Sequence, residues 1–389
     1  MGGGGGNGNG RLGDGTATDR TAPVRVKTPD RKTYPDLPAD FTYLQVSAGG
    51  DHSLAIGSDG YAWAWGCNWY GNLGNNTASG YSDTNPVPIR VRDPASPTDK
   101  SQGLQAAQVS AGWHLSLAVG SDGNAYAWGY NDSGQLGDGT GASYRTTPVR
   151  VKTPDRRTYP DLPADFTYLQ VSAGAYHSLA VGSDGNAYAW GYNDSGQLGK
   201  NSYSNSSVAA RVRDPASPTD KSQGLQAAQV SAGGHHSLAV GSDGNAYAWG
   251  NNSSGQLGND SIPTGSSYHA QSPVPVPVSF NLALVITGVR FDQTPVSGLT
   301  RGDAGSVTVT TPAHQPGPVT VSVDYTLGGA PQTPDTSLKY TYLPAGVLPR
   351  AGGQGILLAL ATGMTGMGGV LASRRHRREQ HQLSHASHE

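Results

Sequence analysis

Four segments of this chain can be laid over one another, and that self-similarity limits the fold more than any other feature. They begin at Val46 (VSAGGDHSLAIGSDGYAWAWG), Val109 (VSAGWHLSLAVGSDGNAYAWG), Val171 (VSAGAYHSLAVGSDGNAYAWG) and Val230 (VSAGGHHSLAVGSDGNAYAWG). Copies recurring every sixty residues or so mean supersecondary units that stack or form a ring, because no single unit buries its own apolar side chains. The connecting pieces alternate. APVRVKTPDRKTYPDLPADFTYLQ before Val46 is nearly repeated by TPVRVKTPDRRTYPDLPADFTYLQ before Val171, and RVRDPASPTDKSQGLQAAQ precedes both Val109 and Val230. The array therefore grew by copying a two-repeat block. Without this period, 56 Gly and 26 Pro in 389 residues would read as disorder.

Each copy reads as four short strands. From His177 to Val181 large residues (His177, Leu179, Val181) alternate with small ones (Ser178, Ala180), and Asn186 to Trp190 alternates likewise across a Ser183-Asp184-Gly185 turn. Alternation with period two marks a strand, and Asp-Gly between two such runs marks a hairpin. Small residues on one face and bulky ones on the other let successive sheets nest face to face. Leu169 to Ala173 supplies another strand. The segments led by Pro23, Pro86, Pro148, Val208 and Pro273 supply the outermost one, since proline suits an edge.

The pattern GxxHSLAVGSDGxxYAWGxNxxGQLG resembles the repeat of the regulator-of-chromosome-condensation family over about Gly8 to Val278. The resemblance implies a β-propeller of four-stranded blades, commonly seven in that family. Here only four YAWG-type strands occur, ending at Trp65, Trp128, Trp190 and Trp249. Leu115 stands where the other copies have His52, His177 and His236. The chain also opens in mid-repeat, since Gly8 to Thr16 matches Ser133 to Thr140, which points to a fragment whose upstream repeats and secretion signal lie elsewhere. The expected fold is all-β: a partial propeller of about four four-stranded blades, then a small β-sandwich, then a hydrophobic helix. The divisions are 1–45 (partial first repeat), 46–279 (propeller repeats), 280–345 (immunoglobulin-like segment) and 346–389 (sorting signal).

The immunoglobulin-like reading rests on the Thr/Val/Tyr-rich runs Ser306 to Thr311, Gly317 to Tyr325 and Ser337 to Tyr342, bounded by Pro and Gly. VTVTTPAHQPGPVTVSVDYTLGG resembles transcription-factor-type immunoglobulin-like domains of bacterial surface proteins, which serve as stalks. The last segment is similar to a sortase sorting signal. A pentapeptide (Leu348, Pro349, Arg350, Ala351, Gly352) precedes an uncharged apolar run, 353–372, long enough to span a bilayer, and then the basic cluster Arg374 to Arg378. Sortase would cut after Ala351, where the family pattern has Thr, and join the chain to peptidoglycan.

No composition signal favours catalysis or nucleic acid. Net charge is −2, without a basic patch. The lone Cys67 excludes an intrachain disulfide and reads as an incidental thiol. His52, His177 and His236 hold one strand position in different blades, so they should lie apart. They are read as half-buried structural histidines bonded to backbone groups, not as metal ligands. Asn131 to Gly139 reads as turn chemistry rather than a calcium loop. No nucleophile elbow, P-loop or carboxylate pair occurs, and no catalytic residue, metal or cofactor is expected. Arg301, Gly302 and Asp303 form the integrin-recognition tripeptide, a receptor-binding candidate.

The resulting expectation is a non-enzymatic, cell-wall-anchored surface protein of a Gram-positive bacterium. Its propeller loops, Lys152 to Leu162 and Asp214 to Leu225 among them, would present a rim to an unknown protein or glycan ligand and support adhesion. The family resemblance implies the alternative, guanine-nucleotide exchange on a small GTPase.

Overall fold

A computed structural model of the chain describes residues 6–80, 83–266, 269–279, 284–296, 299–301, 307–309, 312–327, 330–331 and 333–342. These fall into two compact units, one ending at Ser279 and one after it.

The first unit is a series of four blades. Each is a four-stranded antiparallel meander in simple chain order. Blade 1 consists of β1 (Tyr43–Ala48), β2 (His52–Gly57), β3 (Ala62–Gly66) and β4 (Ile89–Arg90). Blade 2 has β5 (Ala106–Ala111), β6 (Leu115–Gly120), β7 (Ala125–Tyr130) and β8 (Tyr144–Arg150). Blade 3 has β9 (Tyr168–Ala173), β10 (His177–Gly182), β11 (Ala187–Gly191) and β12 (Ser206–Arg211). Blade 4 has β13 (Ala227–Ala232), β14 (His236–Gly241), β15 (Ala246–Asn251) and β16 (Gln271–Pro277). The Pro-led or Val-led strands lie at one edge of each sheet, as proline requires. The register is the same throughout: Leu54 opposes Ala64, Leu117 opposes Ala127, Leu179 opposes Ala189 and Leu238 opposes Ala248. Gly60, Gly123, Gly185 and Gly244 turn the central hairpins at φ of 76 to 82°, a region costly for residues with a Cβ.

The alternation of bulky and small side chains builds three separate cores, each between two blades. Leu54 and Ile56 of blade 1 meet Val109, Ala111, Ala118 and Trp128 of blade 2. Leu117 and Val119 meet Val171, Ala173, Ala180 and Trp190, and Leu179 and Val181 meet Val230, Ala239 and Trp249. The first strands are also linked by side chains. Val109 N donates to Gln45 Oε1 and Ala111 N to Ser47 Oγ, both at 3.0 Å. The same pair of bonds recurs from Val171 and Ala173 to Gln108 and Ser110, and from Val230 and Ala232 to Gln170 and Ser172.

In blades 1 to 3 the loop after the third strand seals the next blade, and blade 4 has a loop of the same form. Asn68, Asn131, Asn193 and Asn252 each accept, through Oδ1, the backbone N–H of the leucine five residues on. Asn7 does the same for Leu12, so residues 7–27 form a fifth such loop, seated on blade 1. The carbonyls of Arg11, Asn72 and Gln197 accept the indole N–H of Trp65, Trp128 and Trp249, each at 2.8 Å. Residues 23–26 pair into no sheet. On that side Tyr34, Leu37 and Phe41 cover Ala55, Trp63 and Trp65 of blade 1, while its first strand is left open. A groove of about 540 Å³ lined by Leu12, Val24, Val46 and Trp65 lies there, and Val46 is 66 % exposed. Its equivalents Val109 and Val171 are each 2 % exposed. At the other end Leu238 and Val240 of blade 4 are exposed.

The second unit holds a five-stranded antiparallel sheet in the order β18 (Thr294–Pro295), β17 (Leu284–Phe291), β21 (Gly317–Leu327) and β22 (Ala330–Pro331), with β23 (Asp335–Tyr342) also paired to β21. A two-stranded ribbon joins β19 (Thr300–Arg301) to β20 (Val307–Thr308). Ile286, Val289, Phe291, Val309, Val319, Val321 and Val323 form its core. The described residues thus reach an antiparallel sheet and a ribbon, and do not extend to the full sandwich expected from the sequence. No helix among them is long and apolar enough to cross a membrane. The expected hydrophobic helix, at 353–372, and the sorting motif Leu348, Pro349, Arg350, Ala351 and Gly352 lie outside the described residues.

Candidate functional site

The two ends of the blades differ in character. At one end, the turn between the first two strands meets the loop after the third strand, and aromatic side chains gather there from successive blades. Trp69 and Tyr70 come from the blade 1 loop, Trp113 and His114 from the first turn of blade 2, and Tyr130 from the end of β7. Tyr144 on β8, Tyr176 and Tyr192 in blade 3 and His235 in blade 4 continue the row. The rings touch in sequence. Tyr70 lies 4.8 Å from Tyr130, Tyr130 6.3 Å from Tyr176, and Tyr176 6.2 Å from Tyr192 and 6.1 Å from His235. Trp113 stacks on His114 at 17° and 5.6 Å, contacts Tyr176 at 5.7 Å, and is 45 % exposed. A row of half-exposed rings carries large contact area with little side-chain freedom to lose on binding, which is why Tyr and Trp concentrate in recognition surfaces.

Two carboxylates border the row. The Tyr130 hydroxyl donates to Asp132 and the Tyr192 hydroxyl to Asp194, both at 2.9 Å. Burial, then the bond to Asp132, pushes the Tyr130 phenol up to about 12, so it remains a donor across the physiological range. Burial lowers the pKa of His114, against a smaller raising effect of Asp51.

The opposite end carries the long connections. Lys152 to Leu162, expected as part of a recognition rim, forms a strap held down by Pro154, Tyr159 and Leu162, with its charged residues, Thr153, Thr158 and Pro160 outward. Arg211 pins it. This buried guanidinium donates to Asp161 at 3.0 Å and Asp184 at 3.1 Å, lies over the Tyr159 ring at 4.6 Å, and reaches Ser222 O in the other long connection. Arg90 holds the blade 1 strap through Asp36, Ser101 O and the Tyr34 and Tyr61 rings in the same way.

The repeated histidines are structural, but His52 and His177 are not, as the sequence implied, half-buried and bonded to backbone; only His236, in blade 4, has intermediate burial. His52 and His177 are fully buried, and Nε2 of each meets a serine of the next blade, Ser116 Oγ at 2.8 Å and Ser237 Oγ at 2.9 Å. Both serines donate to main-chain carbonyls of the intervening loops, Asn72 O and Gln197 O, so the imidazole must be the donor. Their Nδ1 atoms have no partner. Burial pulls both pKa values down to about 3. Cys67 is buried, which pushes its thiol up to about 11 and leaves it unreactive.

No group of three potential metal ligands occurs among the described residues. Arg301 ends the short strand β19, while Gly302 and Asp303 lie outside the described residues. The aromatic row was not anticipated. The signal was present: within a nearly constant repeat, the positions that change are Trp113, Tyr176 and His235 after the first strand and Trp69, Tyr130 and Tyr192 after the third.

Comparison with known proteins agrees with this architecture. The family model described as an RCC1-like domain matches residues 3–310. The ultraviolet-B receptor UVR8 of Arabidopsis thaliana is 31 % identical over 252 residues, covering 65 % of this chain and 49 % of the receptor. The human probable E3 ubiquitin-protein ligase HERC6 is 34 % identical over 215 residues, covering 55 % of this chain and 18 % of the ligase. The chain therefore spans at most about half the length of these two relatives. Human WBSCR16 has a similar fold, with a TM-score of 0.54 at 20 % identity, covering 82 % of this chain and 69 % of that structure.

Proposed function

This chain belongs to the RCC1-like domain family, and from that premise we propose that its propeller unit is a protein-binding module, acting by recognition rather than catalysis through the aromatic row. The observation that carries this reading is the run of touching, half-exposed rings from Tyr70 to His235, drawn from four successive blades on one end of the unit. A rigid scaffold fixes their spacing, so little ordering cost falls on binding. The sorting-type terminus supports a second part of the proposal, that the module is displayed at a bacterial cell surface and anchored to peptidoglycan by sortase.

The test compares the native chain with a Trp113→Ala/Tyr176→Ala double variant as immobilised baits for surface and host proteins. Such contact residues cost about 2–4 kcal/mol each on truncation, so capture should fall by well over ten-fold at unchanged folding. Equal capture by both baits would remove the row from recognition. Fractionation tests the display: the chain should be released from intact cells by wall-digesting enzymes, and a cytosolic product would refute that part.

A further inference from the structure

We propose that the aromatic row receives a basic, extended peptide segment, with Arg or Lys side chains seated between Tyr130, Tyr176 and Tyr192 beside Asp132 and Asp194. This rests on the reading of the row as a protein interface and names the chemistry of what it takes.

Charge is the first ground. Asp132 and Asp194 are exposed, and each uses one oxygen to accept a tyrosine hydroxyl. No described Lys or Arg forms an ion pair with either. Arg11 pairs with Asp51 and Arg145 with Asp138, each at 2.9 Å, and Lys200, in the same loop as Asp194, donates to Asn205 O. The row is thus left with unneutralised negative charge, complementary to a basic partner.

Ring electronics are the second. A phenol that donates to a carboxylate has a more electron-rich face, and such faces attract guanidinium and ammonium groups. The sequence Tyr-Asn-Asp-Ser-Gly sets up this tyrosine–aspartate unit twice, in blades 2 and 3, and Tyr176 stands edge-on between the two at 69° and 67°. The arrangement offers two equivalent cation seats one blade apart, divided by a shared wall.

Ring orientation argues against the competing occupant, a glycan. Sugars stack on flat, coplanar platforms. Here only Trp113 and His114 approach coplanarity. The other contacts from Trp69 to His235 are tilted by 32° to 69°, which makes clefts rather than a platform.

The probes are fluorescent octa-arginine and its citrulline counterpart, which keeps the shape and removes the charge, titrated into the full chain. Octa-arginine should bind at least ten-fold more tightly than the citrulline peptide. Asp132→Asn/Asp194→Asn should weaken octa-arginine at least five-fold. Asp122→Asn/Asp243→Asn, equal in charge change but on the opposite end, should leave it unchanged. Equal effects of the two double variants would reduce the attraction to net charge and overturn the proposal, as would equal binding of the two peptides or tighter binding of soluble peptidoglycan fragments at the same residues. If octa-arginine fails while Trp113→Ala/Tyr176→Ala still abolishes protein capture, the ligand chemistry is wrong and the interface stands. If capture also survives that double variant, both fall.

Discussion

At the residue scale, the paired His177 and Ser237 are unequal partners. Ser237 still donates to Gln197 O if the imidazole is gone, and blade 2 already places Leu115 at the histidine position. His177→Leu should therefore shift stability by less than about 1.5 kcal/mol, as volume-conserving core changes do. Ser237→Ala strands a buried imidazole N–H and should cost about 1–3 kcal/mol by denaturant titration. The same burial links stability to pH. A histidine whose pKa is pulled down to about 3 in the folded chain, against an ordinary 6.5, binds its proton only on unfolding. Its contribution is complete above about pH 6.5 and is lost as pH falls from there toward 3. A His52→Leu/His177→Leu variant should show a flatter acid limb over that window in thermal melts. Four serines at this strand position look alike in the sequence, and alternation alone exposed the strands. It did not reveal that the serine faces a neighbour's histidine, because that contact depends on two blades meeting.

At the scale of the element, one dipeptide has two fates. Arg150 and Arg211 hold equivalent positions, opposite Tyr126 and Tyr188. Arg211 is buried under its strap, whereas Arg150, preceded by the other type of connection, is exposed. Removing Arg211 leaves Asp184 buried and without its cation. Arg211→Ala should thus cost about 3–5 kcal/mol and speed tryptic cleavage after Arg156 and Arg157, while Arg150→Ala should stay within roughly 0.5 kcal/mol. The strands, their order and their edge were legible in period and proline placement. The clamp was not, since RV recurs at the outer edge of blades 1, 2 and 3 and only the strap in front of it decides burial. The aromatic row escaped for a related reason: its members are scattered in ones and twos along the chain and become a surface only when the blades align.

For the molecule as a whole, identical valines measure what an inter-blade core contributes. Val171→Asp would drive a carboxylate between blades 2 and 3 and should unfold or severely destabilise the unit. Val46→Asp, on the open face, should change the melting temperature little. Similar losses at both positions would mean that blade 1 is covered in solution. The side-chain bonds between first strands give these interfaces separate reporters. Amide protons of Val109, Val171 and Val230 are each held by a glutamine of the preceding blade's first strand. They can trade with deuterium only when that particular pair of blades parts. Three well-resolved exchange rates would therefore time the opening of each seam individually, and tell whether the blades separate together or one after another.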